Sequence, residues 1–101
     1  MDHPLRRLAL SIRFKEYLLA RDLPSRRIIL EAAIAYAEKS SNDKKPQILS
    51  WLHNFLAINN IVDDRERREQ VRYDAFWDEL HTDLSKSTLM YEIMYWFVGQ
   101  I

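Results

Sequence analysis

A chain of 101 residues, 48% hydrophobic and 30% charged, is long enough for one domain with its own core and is not composed like a disordered segment. Fifteen Lys/Arg balance fifteen Asp/Glu, which removes any general pull toward nucleic acid, and the absence of cysteine excludes disulfides, thiol nucleophiles and cysteine-ligated metals. One glycine in the whole chain, against about 7% in ordinary proteins, leaves little for hairpin corners.

The expected fold is therefore all-α: a single domain over 1–101, built as a compact bundle of about five helices. Charge is uneven along it. Residues 1–50 hold ten Lys/Arg and six Asp/Glu, a net +4, and residues 51–101 hold five and nine, a net −4. Such a dipolar layout can orient a charged partner or a second copy of the chain.

Three prolines mark helix starts, because the missing N–H costs nothing in a first turn. Asp2 precedes Pro4, Asp22 precedes Pro24 and Asp43 precedes Pro46, each placed to accept free N–H groups. The first helix runs from about Pro4 to Arg21. At 100° per residue, Leu5, Leu8, Ala9, Ile12 and Leu19 fall on one arc, with Leu10, Phe14, Tyr17 and Leu18 nearly opposite. A surface helix has one apolar stripe. This one has two.

The second helix, about Ser25 to Lys39, has a main stripe of Ile28, Ile29, Ala32, Ala35 and Tyr36. Leu30, Ala33, Ile34 and Ala37 fill much of the remainder, which marks it as the central helix. After the polar connector "KSSNDKK", the third helix spans about Gln47 to Ile61. Ile48, Leu49, Trp51, Leu52, Phe55, Leu56 and Ile58 face inward, and Ser50, His53, Asn54 and Asn60 face outward.

The fourth helix, from Asp63 or Asp64, opens on "DDRERREQ". Asp63–Arg67, Asp64–Arg68 and Arg65–Glu69 are i,i+4 pairs worth about 0.2–0.5 kcal/mol each. Burial begins only with Tyr73, Phe76, Trp77, Leu80 and Leu84, so the start of this helix should protrude. The fifth helix, "STLMYEIMYWFVGQI", is capped by Ser85 or Ser87 and begins near Lys86. Leu89, Ile93, Trp96 and Phe97 cluster on one side, Met90, Met94, Val98 and Ile101 continue around, and Tyr91 and Tyr95 lie beyond. Trp51, Phe55, Trp77, Trp96 and Phe97 are expected to share the core.

The thirteen residues from Leu89 to Ile101 include Glu92 and fall short of the roughly 20 apolar residues that span a bilayer. "MDHPLRRLAL" has arginines where a signal peptide needs an apolar core. The expectation is a soluble cytoplasmic protein with no membrane partner.

Chemistry finds few candidates. Asp74, Asp78 and His81 share one face at i, i+4, i+7 and could approach a divalent cation, but a solvated polar face explains them as well. His53 and His3 could act as bases, yet no catalytic motif surrounds either. No catalytic residue, metal or cofactor is expected.

The basic residues Arg6, Arg7, Arg13, Lys15, Arg21, Arg26 and Arg27 gather on the first helix and the corner "ARDLPSRR", with Arg65, Arg68 and Arg72 on the fourth helix. They make a DNA-binding regulator the alternative function. Against it, the corner lacks a glycine, the helix after it offers few polar side chains for base edges, and acids dilute the fourth helix.

A domain this small encloses about one helix, and three apolar helices compete for that place. A leftover face of this kind marks an interface, and Tyr, Trp, Met and Phe are enriched at interface cores. The expected function is a small non-enzymatic protein-binding module, a regulator, inhibitor or adaptor, that binds another protein or itself as a homodimer. The expected contact face is Tyr91, Met94, Tyr95 and Val98 of the last helix, with Leu10, Phe14 and Tyr17 of the first as the second candidate.

Overall fold

Side chains that cap helices set most of the chain's corners. The computed structural model describes residues 4–99 as α1 (Pro4–Leu19), α2 (Leu23–Glu38), α3 (Lys45–Asn59), α4 (Asp64–Val71), α5 (Asp74–Asp78) and α6 (Thr88–Val98). A π-helical turn (Glu79–Asp83) and a 3-10 turn (Leu84–Lys86) join α5 to α6. The described residues contain no strand, and the fold is an all-α bundle with six α-helices where five were expected.

Asp22 caps α2 by accepting from the Ser25 N–H at 2.9 Å, and hydrogen bonds from Ser25 hold its carboxyl below the ordinary range. Ser87, not Ser85, caps α6, accepting from Leu89 N–H at 3.2 Å. Asp43 does not cap α3. Asn42 instead accepts from the Lys44 N–H at 2.8 Å just ahead of the helix. Asp2 and His3 lie outside the described residues, as do Gln100 and Ile101.

The expected fourth helix is broken. Asp63 caps α4 through Arg65 and Glu66 N–H groups at 2.9 and 3.1 Å, so it does not pair with Arg67. Arg67 pairs with Asp64, Arg68 Nε donates to the Asp64 carbonyl, and only Arg65–Glu69 forms as expected, at 3.4 Å. The break follows Val71, whose carbonyl accepts from the Trp77 indole Nε1. Tyr73, expected to open the buried stripe, is exposed in the resulting corner.

The core is aromatic at one end. Trp51 and Trp77 rings meet edge-on at 5.7 Å, Phe55 lies 5.4 Å from Trp77, and Phe76 stacks on Trp51 at 4.6 Å. Trp51, Phe55 and Trp77 are buried as expected. Trp96 is not: it is 68% exposed, and Phe97 is only partly buried.

Two principal packings carry the bundle: α2 against α3, and α1 against α6. They decide which arc of each helix turns inward. On α2 the buried set is Arg26, Ile29, Leu30, Ala33, Ile34 and Ala37. Its expected main stripe is mostly outside, since Ile28, Ala32, Ala35 and Tyr36 are exposed. On α1 the buried arc is Leu10, Ser11, Phe14 and Leu18, while Leu5, Leu8, Ala9, Ile12 and Leu19 are exposed. No helix is fully enclosed. Each of α1, α2 and α6 keeps an apolar set on the surface.

Candidate functional site

Small side chains leave a gap between α2 and α6. Where two helices carry ordinary side chains they close to crystal-like density, but the methyl groups of Ala32 and Ala33 cannot reach across. An apolar groove of about 510 Å³ results, bounded by Ala32, Ala33 and Tyr36 on α2 and by Tyr91, Ile93 and Trp96 on α6. Ala33 and Ile93 are core residues, so the floor of the groove is fixed by the bundle itself.

Its rim is aromatic and open. Trp96 is 68% exposed, Tyr95 52% and Tyr36 50%. Across the groove the Tyr36 hydroxyl donates to the Glu92 carboxylate, which raises the Tyr36 pKa because the phenolate would face that negative charge. Ile28 with Ala32 and Ala35 continues the apolar surface along α2. A second depression, between α2 and α3, is rimmed by Glu31, Glu38, Lys39 and His53. His53 has no hydrogen bond there among the described residues.

The expected contact face is only partly at this site. Tyr95 is on the rim, and Tyr91 lines the groove, stacked on Tyr95 at 6.0 Å and with the Arg7 guanidinium 5.7 Å from its ring centre. Met94, Val98, Leu10 and Phe14 are buried within the chain, which corrects their assignment to an accessible face. Tyr17 is half-buried between the Phe97 ring at 6.3 Å and the Arg21 guanidinium at 4.0 Å. The reason is the α1–α6 packing: Phe14 meets Phe97 at 6.4 Å, and this contact consumes both proposed faces together. Sequence reasoning missed Trp96, Tyr36, Ala32 and Ile28. The signal available was the pair of alanines at 32 and 35, whose small size leaves that arc outside when Leu30 and Ile34 compete for the core.

Among the basic residues, Arg26 is a structural side chain and not a phosphate ligand. It is buried, its Nε donates to Leu18 O at 3.0 Å and its Nη2 to Arg21 O at 3.1 Å. Burial lowers its pKa, and the nearby Arg67 adds to that. Arg7 is half-buried and donates to the Lys86 carbonyl. Arg6, Arg13, Arg27, Arg65, Arg68 and Arg72 are exposed but divided among α1, α2 and the α4 region, where Asp64, Glu66 and Glu69 intervene.

Among the described residues one Ser–His contact is a geometric candidate for catalysis, and its hydrogen bonds argue against that use. Ser11 Oγ lies 2.8 Å from His81 Nδ1, but the hydroxyl donates its single proton to Leu8 O at 2.8 Å. Nδ1 then carries the proton it shares with Ser11, so the ring donates to this hydroxyl and does not act as its base. Ser11 is fully buried. The pair ties α1 to the π turn. Asp74 and Asp78 are exposed beside it, and among the described residues no group of three His, Asp or Glu side chains could hold a metal ion.

A pH dependence follows from His81. Burial, with Lys15 adding to it and Asp78 opposing, lowers its pKa from the ordinary 6.5. The unfolded ring therefore binds a proton more readily than the folded one, so stability falls as pH drops below about 6.5 toward the folded value. Thermal unfolding from pH 7.5 to 5 should show this loss, and His81→Gln should flatten it. Equal slopes in the two proteins would contradict the assignment.

Comparison with protein-family models, curated proteins and solved structures finds no match. No helix among the described residues is long and apolar enough to cross a membrane.

Proposed function

We propose that the chain is a small protein-recognition module without chemistry of its own, acting through the groove between α2 and α6. The observation that carries this reading is Trp96: a tryptophan two-thirds exposed at the mouth of an apolar groove, with Tyr36 and Tyr95 beside it. Tryptophan and tyrosine are the side chains most often found as binding hot spots. A fixed floor below them lowers the ordering cost of association. Glu92 offers the single charge and would orient a donor on the partner. A regulator, inhibitor or adaptor in the cytoplasm fits this design, and the lack of cysteine suits that reducing compartment.

The nucleic-acid alternative has less behind it, because its exposed arginines do not converge and Arg26 is committed to the Leu18 and Arg21 carbonyls.

The test separates binding from folding. Trp96→Ala should change stability by less than about 0.5 kcal/mol, as expected for an exposed position. Trp96→Glu should abolish capture of host proteins that the unaltered chain retains, while Glu66→Ala on α4 should retain them. Loss of stability in Trp96→Ala, or unchanged capture by Trp96→Glu, would overturn the proposal.

A further inference from the structure

The exposed stripe of α1 is a different surface from the groove, and its charge pattern names what covers it. Leu5, Leu8, Ile12 and Leu19 are 68, 37, 41 and 39% exposed. Their spacing puts them in one row about 21 Å long at 1.5 Å per residue. One flank of the row carries Arg6 and Arg13, and Glu16, the sole acid of α1, lies on the same side. The Glu16 carboxylate forms no ion pair among the described residues.

We infer that α1 pairs antiparallel with α1 of a second copy, across a two-fold axis at Ile12. In that register Ile12 meets Ile12 of the second copy and Leu5 meets Leu19 at each end. A two-fold perpendicular to both helices keeps each flank on its own side, so Glu16 of one copy faces Arg6 of the other. The axial offset between them is about 3 Å at the helical rise. Arg6 sits about 130° round the helix from the row at 100° per residue, so its long side chain reaches forward along the flank to make the ion pair, and symmetry makes the pair twice. The lone acid near the end of α1 and the arginine near its start are the arrangement that self-pairing needs and a parallel partner would not use. The two Arg13 side chains approach the axis, but each leans to the α6 end, 3.5 Å from the Val98 carbonyl, and each Glu16 stands between its own Arg13 and Arg6 of the second copy. A single helix pair buries an area at the low end of specific interfaces, so the dimer is expected to be weak and concentration-dependent. This contact is independent of the groove.

Sedimentation equilibrium of the full chain tests it. The unaltered protein should move from 12.2 kDa toward twice that mass as concentration rises. Ile12→Glu sets two carboxylates face to face and should weaken the dimer at least about tenfold, as should Arg6→Glu or Glu16→Arg alone. The combined variant R6E/E16R restores the pair and should return association to within about threefold of the original. Because these side chains are exposed, each variant should keep its helical far-UV spectrum, and the charge swap remains decisive if Ile12→Glu does not fold. A monomer at all concentrations would overturn the inference, as would singles that weaken with no restoration in the double. So would self-association that Trp96→Glu abolishes and Ile12→Glu does not. Binding of a monomer to phosphatidylserine vesicles, lost in Ile12→Glu, would give the stripe to a lipid surface and overturn it too.

Discussion

Trp77→Ala should lower the unfolding free energy by about 3–5 kcal/mol, the range for deleting a large aromatic from a core. The indole is 2% exposed and touches Phe55, Phe76 and Trp51 within 5.7 Å. Removing it empties the centre of that cluster and also strips the Val71 carbonyl of its Nε1 donor at the break between α4 and α5. Edge-on aromatic pairs add about 0.5–1.5 kcal/mol beyond area burial. Against a total of about 5–15 kcal/mol for a domain, this single change removes a large share. Trp77→Phe keeps a ring but loses the N–H, and should fall between. Urea unfolding followed by circular dichroism measures both. A loss below about 1 kcal/mol in Trp77→Ala would show that the cluster is not the core.

Arg26→Ala should also be damaging, costing about 2–3 kcal/mol, because it takes the guanidinium donor from the Arg21 carbonyl and leaves the Leu18 carbonyl only the Arg21 N–H. Leu18 lies in the last turn of α1 and Arg21 just beyond it, where the negative end of the helix dipole also favours a cation. The side chain further reaches Asn59 Oδ1 at 3.5 Å and lies 6.0 Å over the Phe55 ring, so one residue holds α1, α2 and α3 at a common corner. Arg26→Lys should not restore stability, since an ammonium cannot span carbonyls that the planar guanidinium reaches together. Restoration by lysine would show that charge alone matters and that the fork geometry does not.

Fold class was legible in the sequence because it rests on local rules. Scarce glycine, proline at helix starts, Asp22 as a cap and the inward face of α3 all follow from residues within a turn or two of one another. The inward arc of α1 was not legible. Periodicity shows that Leu5, Leu8, Ile12 and Leu19 form one arc and Leu10, Phe14 and Leu18 another, but only the arrival of α6, eighty residues later, selects the second. On α2 the count of apolar positions favoured the arc with Ile28, Ala32 and Ala35. Volume favoured Leu30 and Ile34, and volume fills a core.

The groove was illegible for the same reason: it exists because alanines face α6 across a gap, a relation between distant segments. Periodicity puts Trp96 on one face with Leu89, Ile93 and Phe97, but Phe97 takes the place against Phe14 and Tyr17 and leaves Trp96 outside. The π turn had no local signal at all. It brings Leu80 and Leu84 into the core together and aims His81 at Ser11, a pairing between residues seventy positions apart.

Site-specific photocrosslinking in the native host tests the central claim most directly. A photoreactive residue placed at Tyr36, Tyr95 or Trp96 should give a covalent adduct with another protein, of a mass that a second copy of the chain cannot explain. The same residue at Glu66 or Arg72 should give none. Adducts at the α4 positions with none around the groove would contradict the account and move the recognition surface to the charged helix.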